Sequence, residues 1–438
     1  MSGLAELLLS RGFRISGSDS HASELTEHLA AKGAQIYIGH DERHVAPGVQ
    51  AGVFTAAVHE DNPEYREILR RGLPLLSRAE LLGQLMRNYR SSYAVAGTHG
   101  KTTTTSMLSE IMLAAEGDPT ISVGGMLDSI GGNLRIGASE CFVTEACEYT
   151  NSYLEFYPHT SVILNIRPDH LDYFKTFENV RSSFRSFADN TAKDGCLVLS
   201  SRIEDWRELM QGLPCRIVTF GEEPDDDYRA EEISLRAGMY AEYVLYHGAE
   251  RLGRIALSVP GHHNVGNSLA AAAAALENGI PFEAVRQGLV AYKGTHRRFE
   301  KKGILGEDIM VIDDYAHHPD EIEVTLKTAR SAGRPIVCVF QSHTYSRTRQ
   351  HFDDFVRVLS LADKVILAPI YPARETDTLG MSAQLMADAL RGQGTDAIAF
   401  STFEEIEDYV RKNVINGAML ITMGAGDVVK IGESLLKQ

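Results

Sequence analysis

Gly97-Thr98-His99-Gly100-Lys101-Thr102-Thr103-Thr104 is the stretch on which the reading of this chain turns. The apolar run Tyr93–Ala96 before it predicts a strand, and Met107, Leu108, Ile111 and Met112 after it predict a helix. Glycines between a strand and a helix let the backbone curl, so that its N–H groups face phosphate oxygens at the helix N-terminus. A lysine then brings a cation to the β- and γ-phosphates, and the hydroxyl beside it is a magnesium ligand. The spacing is a short GxxGKTT form of the usual GxxxxGK[ST], because Val95 stands where the first glycine would be. Gly97, Thr98, His99, Gly100, Lys101, Thr102 and Thr103 are therefore the expected nucleotide-phosphate-binding residues of a mainly parallel α/β domain, the ATP-binding residues if the nucleotide is ATP.

Working outward, two further apolar runs end in polar residues: Cys141–Thr144 in Glu145, and Val162–Ile166 in Asp169-His170. Open parallel sheets gather ligands at the carboxyl ends of their strands, which would bring Thr102, Glu145 and His170 to the same phosphates. Such a set suits one or two Mg2+ ions, with Mn2+ tolerated because imidazole suits it better. Taken singly, Glu145 and Glu148 also read as a solvated turn, and His170 as a helix cap.

The length of 438 residues predicts about three domains, and strand and helix patterns alternate throughout. We place them at residues 1–90, 91–296 and 297–438. The first shows a helix over 4–9 stopped by Gly12, a strand Phe13–Ser16 before Gly17-Ser18-Asp19, and further elements at Glu24–Lys32, Gln35–Ile38, Val53–Ala57 and Glu64–Arg71. A helix followed by a strand ending in an acid is the second half of a nucleotide-type βαβ unit. On topology alone, a first strand and a glycine loop are expected upstream, so the domain reads as truncated. The third domain carries strand candidates Ile309–Ile312, Ile336–Phe340, Val365–Pro369, Ala397–Phe400 and Met419–Thr422, separated by helices.

Composition narrows the function classes. Lys and Arg number 43 against 59 Asp and Glu, a formal net charge of −16, which argues against nucleic acid as a partner and leaves nucleotides open. Five scattered cysteines form no CxxC pair and suggest a reducing, cytoplasmic setting. No apolar run approaches the roughly 18 residues of a membrane span.

The third domain adds a second polar cluster. Asp313-Asp314-Tyr315-Ala316-His317-His318-Pro319 ends one strand, with Pro319 suited to the first helical position, and its spacing matches no standard zinc motif. Gln341-Ser342-His343-Thr344-Tyr345-Ser346-Arg347-Thr348-Arg349 ends the next. Arg347 or Arg349 there is suited to pair a small carboxylate, and equally to lie on a solvated helix start. His262-His263-Asn264 to Asn267 opens an alanine-rich helix and reads as a cap or as a ligand contact.

In order along the chain, GTHGKTTT, EACEYTNSYL, NIRPDHLDYF, GHHNVGNSLAA, RRFE, DDYAHHPDEI, QSHTYSRTR and MGAGDV resemble the Mur ligase family. The resemblance covers essentially the whole chain. It implies an N-terminal Rossmann-like domain for a UDP-sugar, a central ATPase domain and a C-terminal Rossmann-like domain for an amino acid. It also implies that the carboxylate of UDP-N-acetylmuramate takes the γ-phosphoryl group of ATP, and that the amine of L-alanine displaces phosphate from the acyl phosphate. By resemblance Lys101, Glu145 and His170 are catalytic, and Thr102, Glu145 and His170 hold the metal. Asn264, Asn267, Arg298 and Asp313 would serve ATP. Asp19, His40 and Asn133 would serve the UDP-sugar, and Tyr315, His317, His343 and Arg347 the alanine, with Arg347 on its carboxylate. His317 and His343 are candidates for the base that takes the amine proton. The chain departs from the family at Cys147 and Arg167, where acids are common, and at Thr344, where some members carry arginine. A muropeptide-recycling ligase of the same family, and a nucleotide-binding protein impaired by truncation, are the alternative readings.

Overall fold

The computed structural model describes residues 1–437 apart from Ala56, with Asp172 described in its backbone alone. The chain packs as two compact units. The first comprises Met1–Gly124, Ile130–Phe220 and Ala270–Pro281; the second comprises Gly125–Ser129, Gly221–Leu269 and Phe282–Gln438. No helix among the described residues is long and apolar enough to cross a membrane.

In the first unit, the helix Ser2–Ser10 ends before Gly12, whose φ of 84° only glycine adopts easily. Strands β1 (Ser16–Asp19) and β2 (Gln35–Ile38) pair in parallel, as do β3 (Gly52–Phe54) and β4 (Leu75–Ser77). The first strand thus begins where the expected Phe13–Ser16 strand ends. Phe13 is 58% exposed, so its apolar character marks no buried strand, and the real strand consists of small polar residues. Of the expected Val53–Ala57 strand, Ala56 lies outside the described residues. The helices Glu24–Ala31 and Arg78–Met86 both open on a serine capping box, at Ser23 and Ser77. Leu4, Leu7, Leu82, Leu85 and Met86 share one core with Phe142, Tyr153 and Phe184, so residues 1–90 and the segment after them are packed together.

That segment supplies β5 (Ser91–Ala96), β6 (Thr120–Leu127), β7 (Gly132–Arg135), β8 (Cys141–Glu145), β9 (Thr160–Ile163), β10 (Cys196–Ser200) and β11 (Arg216–Gly221), in sheet order β11-β10-β9-β5-β8-β6-β7. The pairs β5 with β8 and β9, β6 with β8, β9 with β10 and β10 with β11 are parallel. A parallel strand is covered on both faces and reads as an unbroken apolar run; Tyr93, Ala94, Val95 and Ala96 are all buried. The strand that feeds the phosphate loop is therefore central. Its neighbours β8 and β9 deliver Glu145 and the 164–170 loop to the same edge.

In the second unit, β12 (Tyr228–Arg236), β13 (Tyr240–His247) and β14 (Glu250–Pro260) form an antiparallel meander. β15 (Glu300–Leu305), β16 (Ile309–Asp314), β17 (Ile336–Phe340), β18 (Lys364–Leu367), β19 (Asp396–Ala399) and β20 (Met419–Met423) form a six-stranded sheet in the order β15-β16-β20-β17-β18-β19. It is parallel except for edge strand β15. The carboxyl ends of β16, β20 and β17 lie side by side, and they carry Asp313-Asp314, Gly424 and Gln341-Ser342-His343. Adjacent ends at a change of strand order form the crevice in which doubly wound sheets bind ligands.

Candidate functional site

The phosphate loop follows β5 and turns through Gly97 (φ 143°) and Gly100 (φ 86°) into the helix Lys101–Ala114. Its conformation is tied to the loop after β9: Arg167 N–H donates to Thr98 Oγ1 at 2.9 Å, and His99 N–H to Asn165 Oδ1 at 2.9 Å. Thr102 is buried, Lys101 is half-buried, and the Lys101 Nζ donates to the carbonyls of Gly97 (2.6 Å) and Thr98 (3.0 Å). It also lies 2.9 Å from Glu148 Oε2. Burial disfavours the ammonium, but the charge of Glu148, with Cys147 and Glu145 nearby, outweighs it and holds the Lys101 pKa above the ordinary lysine value.

Glu145, at the end of β8, meets Thr102 directly. The Thr102 hydroxyl donates to Glu145 Oε2 at 2.8 Å, and the Gly124 N–H reaches the same oxygen at 2.9 Å. A side chain at Gly124 would collide with that carboxylate, since a Cβ there would stand 2.5 Å from Oε2. His170 precedes the short helix Leu171–Phe174, in a left-handed conformation (φ 52°). Its Nε2 lies 3.9 Å from Glu148 and 3.8 Å from Asp169, and its ring is 4.6 Å from that of Tyr149. Lys101, Thr102, Glu145 and His170 therefore gather around one loop. Thr103 continues the helix behind them.

Among the residues expected for a UDP-sugar, Asp19 and His40 lie at the carboxyl ends of β1 and β2. Gly39 N–H donates to the Asp19 carbonyl at 2.8 Å, and His40 Nδ1 is 2.9 Å from Ser18 Oγ. Asn133 lies on β7 and lines a cavity of about 70 Å³ together with Ser2, Gly3, Arg78 and Ser122.

In the second unit, Asn264 Nδ2 donates to the Pro260 carbonyl at 2.7 Å, and its oxygen accepts from Asn267 Nδ2 at 2.9 Å. Both amides thus brace the start of the helix His263–Leu276. Asp313 is fully buried, with its carboxylate shared between Arg297 Nε (3.0 Å) and the Thr422 hydroxyl (2.7 Å). The geometry gives Asp313 an indirect place, as the anchor of Arg297 rather than a group open to a ligand. Arg298 packs over Tyr315, 5.4 Å from its ring centre, and comes within 4.0 Å of Glu321. Asp314 accepts from the N–H groups of Phe299 and Ala316, each at 2.7 Å, and burial pushes its pKa up to about 6.

Tyr315, His317, His343 and Arg347 do come together. The ring of His317 is 5.3 Å from Tyr315 and 6.2 Å from His343, which stacks on Tyr371 at 5.4 Å. Burial lowers the pKa of both histidines, and the nearby Arg347 charge acts in the same direction. His317 Nδ1 donates to the Tyr315 carbonyl at 3.0 Å, which leaves Nε2 as its acceptor. No carboxylate among the described residues lies within 4.0 Å of the half-buried Arg347 guanidinium. As expected, Pro319 opens the next helix, behind an N-cap at His318.

Three pairings escaped the sequence reading, which took Glu148 only as part of a solvated turn although it is 2% exposed. Glu148 binds Lys101, Arg297 bridges Asp313 and the Gly424 carbonyl, and Glu375 accepts from the Thr344 hydroxyl (2.9 Å) and the Ser346 N–H (3.0 Å) just before Arg347. Each makes its contact across a long stretch of chain, so only the paired loops could have shown it.

A glycine loop with a lysine at a helix N-terminus, an acid and a histidine beside it, and a second polar cleft define a nucleotide-dependent enzyme. Three family models match consecutive segments: "Mur ligase family, catalytic domain" over residues 1–90, "Mur ligase middle domain" over 95–275, and "Mur ligase, glutamate ligase domain" over 297–426. The chain belongs to the Mur ligase family. It is 50% identical over its whole length to a UDP-N-acetylmuramate–L-alanine ligase of Lachnospira eligens, covering 95% of that protein, and 47% identical to that of Acetivibrio thermocellus, covering 93%. Among solved structures it resembles the UDP-N-acetylmuramate-alanine ligase of Thermotoga maritima (TM-score 0.82, 30% identity, all of this chain and 96% of the other). The fold also matches a murein peptide ligase of Psychrobacter arcticus (TM-score 0.69, 24% identity, all of this chain and 96% of the other).

Proposed function

We propose that this protein joins L-alanine to the carboxylate of UDP-N-acetylmuramate at the expense of ATP, in peptidoglycan precursor synthesis. The observation that carries the reading is Arg347. It is a guanidinium without a carboxylate partner among the described residues, beside two imidazoles whose pKa values burial lowers, in a chain half identical to alanine-adding ligases. An amino acid needs such a pair: a cation for its carboxylate, and a base for its ammonium proton before the amine can attack.

ATP would lie on the Gly97–Thr103 loop. The sugar carboxylate attacks the γ-phosphorus, the bond to the β-phosphate oxygen breaks, and ADP and an acyl phosphate result. Lys101 and the loop amides neutralise the charge on the transferred group. The alanine amine, having lost a proton to His317 Nε2, attacks the acyl carbon, and inorganic phosphate leaves. Thr102 and Glu145 fit Mg2+: both offer hard oxygens, already in contact at 2.8 Å, and Glu145 Oε1 carries no partner among the described residues. With His170 they would hold the ion, which supplies charge neutralisation at the phosphates. Asn264, Asn267 and Arg298 are proposed for the nucleotide, with Asp313 behind Arg297. Asp19, His40 and Asn133 are proposed for the UDP-sugar.

The test is mass spectrometry of the product from Mg-ATP, UDP-N-acetylmuramate and L-alanine. A sugar nucleotide heavier by one alanyl residue is expected. Product formed with a muropeptide tripeptide and not with alanine would overturn the assignment in favour of a recycling ligase.

A further inference from the structure

The ammonium of Lys101 is fully engaged by the protein's own groups. Two of its protons go to the Gly97 and Thr98 carbonyls, and the third faces Glu148. Glu148 is only 2% exposed, and its Oε1 stands 3.9 Å from His170 Nε2, so it lies between the loop lysine and the histidine opposite. The turn that presents it is built for the purpose. Asn151 N–H closes on the Glu148 carbonyl at 2.9 Å, and Thr150 and Asn151 both have left-handed φ values, 56° and 59°. That conformation is costly for a β-branched threonine. A buried relay holds it, with Ser183 Oγ donating to Asn151 Oδ1 at 2.5 Å and meeting the Tyr153 hydroxyl at 2.8 Å.

A buried carboxylate on the lysine that must meet phosphate carries the same sign of charge as the ligand. A phosphate reaching Lys101 has to displace it. We propose that Glu148 is a positioning residue for Lys101. It holds the ammonium against the loop and competes with nucleotide phosphates for it, thereby weakening ADP binding and speeding product release. This rests on the reading of the loop as the nucleotide site, and it deepens that reading.

Direct calorimetric titration with ADP, which needs neither sugar nor alanine, separates this proposal from the assignment of substrates. Glu148→Gln keeps the shape and removes the charge. It is expected to bind ADP roughly tenfold more tightly than the parent and to lower KM for ATP, while kcat falls and KM for alanine stays put. Glu148→Asp, which keeps the charge and withdraws it from Lys101, is expected to fall between the two. It carries the test alone if the glutamine variant does not fold. ADP affinity equal to or weaker than the parent's in the folded variants overturns the proposal, as does a change confined to thermal stability.

Discussion

Asp314 shows how a single buried carboxylate couples the second cleft to pH. It brackets the chain by accepting from Phe299 and Ala316, and its pKa is raised to about 6 from 3.8 by burial, with Arg298 and the two N–H groups opposing. The folded state therefore holds this proton more firmly than the unfolded one. The stability it confers is complete below pH 3.8 and is lost as pH rises through about 6. Asp314→Asn is expected to cost about 1–3 kcal/mol through one mismatched backbone N–H, yet to flatten the fall of Tm across that window. A Tm profile unchanged in slope would refute this. Arg347 gives a prediction of a different kind. Arg347→Lys loses the planar fork and is expected to raise KM for alanine by about ten- to a hundredfold with KM for ATP little changed; steady-state kinetics with each substrate varied in turn would show it.

At the level of elements, the phosphate loop depends on a glycine that no side chain can replace. Gly97 has φ 143°, and a Cβ there would sit 2.9 Å from that of Leu164 and 3.2 Å from the Leu164 nitrogen. Gly97→Ala is expected to destabilise the protein by about 1–3 kcal/mol and to weaken ATP binding at least tenfold, read by denaturant titration and ADP calorimetry. This loop was legible in the sequence because its signal is local: apolar strand, glycines, lysine, helix. The buried strands β16 and β17 were legible for the same reason. Strand β6 was not, since Gly124-Gly125 inside it reads as a turn, although one of those glycines makes room for Glu145. Edge strand β15 was missed because Lys301 and Lys302 break its apolar pattern, as edges facing water allow. The partners of Glu148 and Glu375 were invisible for a deeper reason, since they are fixed by turns whose backbone geometry has no pattern in residue type.

On the scale of the whole molecule, two compact units with separate apolar cores make all-or-none unfolding unexpected. Scanning calorimetry is expected to resolve two transitions, with ADP raising the one that belongs to the unit carrying Lys101 and with Lys101→Ala abolishing that shift. A single transition obeying the van't Hoff test would contradict it. The first unit also takes its last piece from far along the chain. The alanine-rich stretch from Ala270 is buried in it, and Asn278 donates to Thr160 on β9 across 118 positions. On the ribosome, then, the unit that carries the phosphate loop stays incomplete until residue 281 has emerged. Strands β5, β8 and β9 must wait, open and apolar, while more than a hundred further residues are made, which marks this interval as the one in which the nascent chain most needs a chaperone's protection.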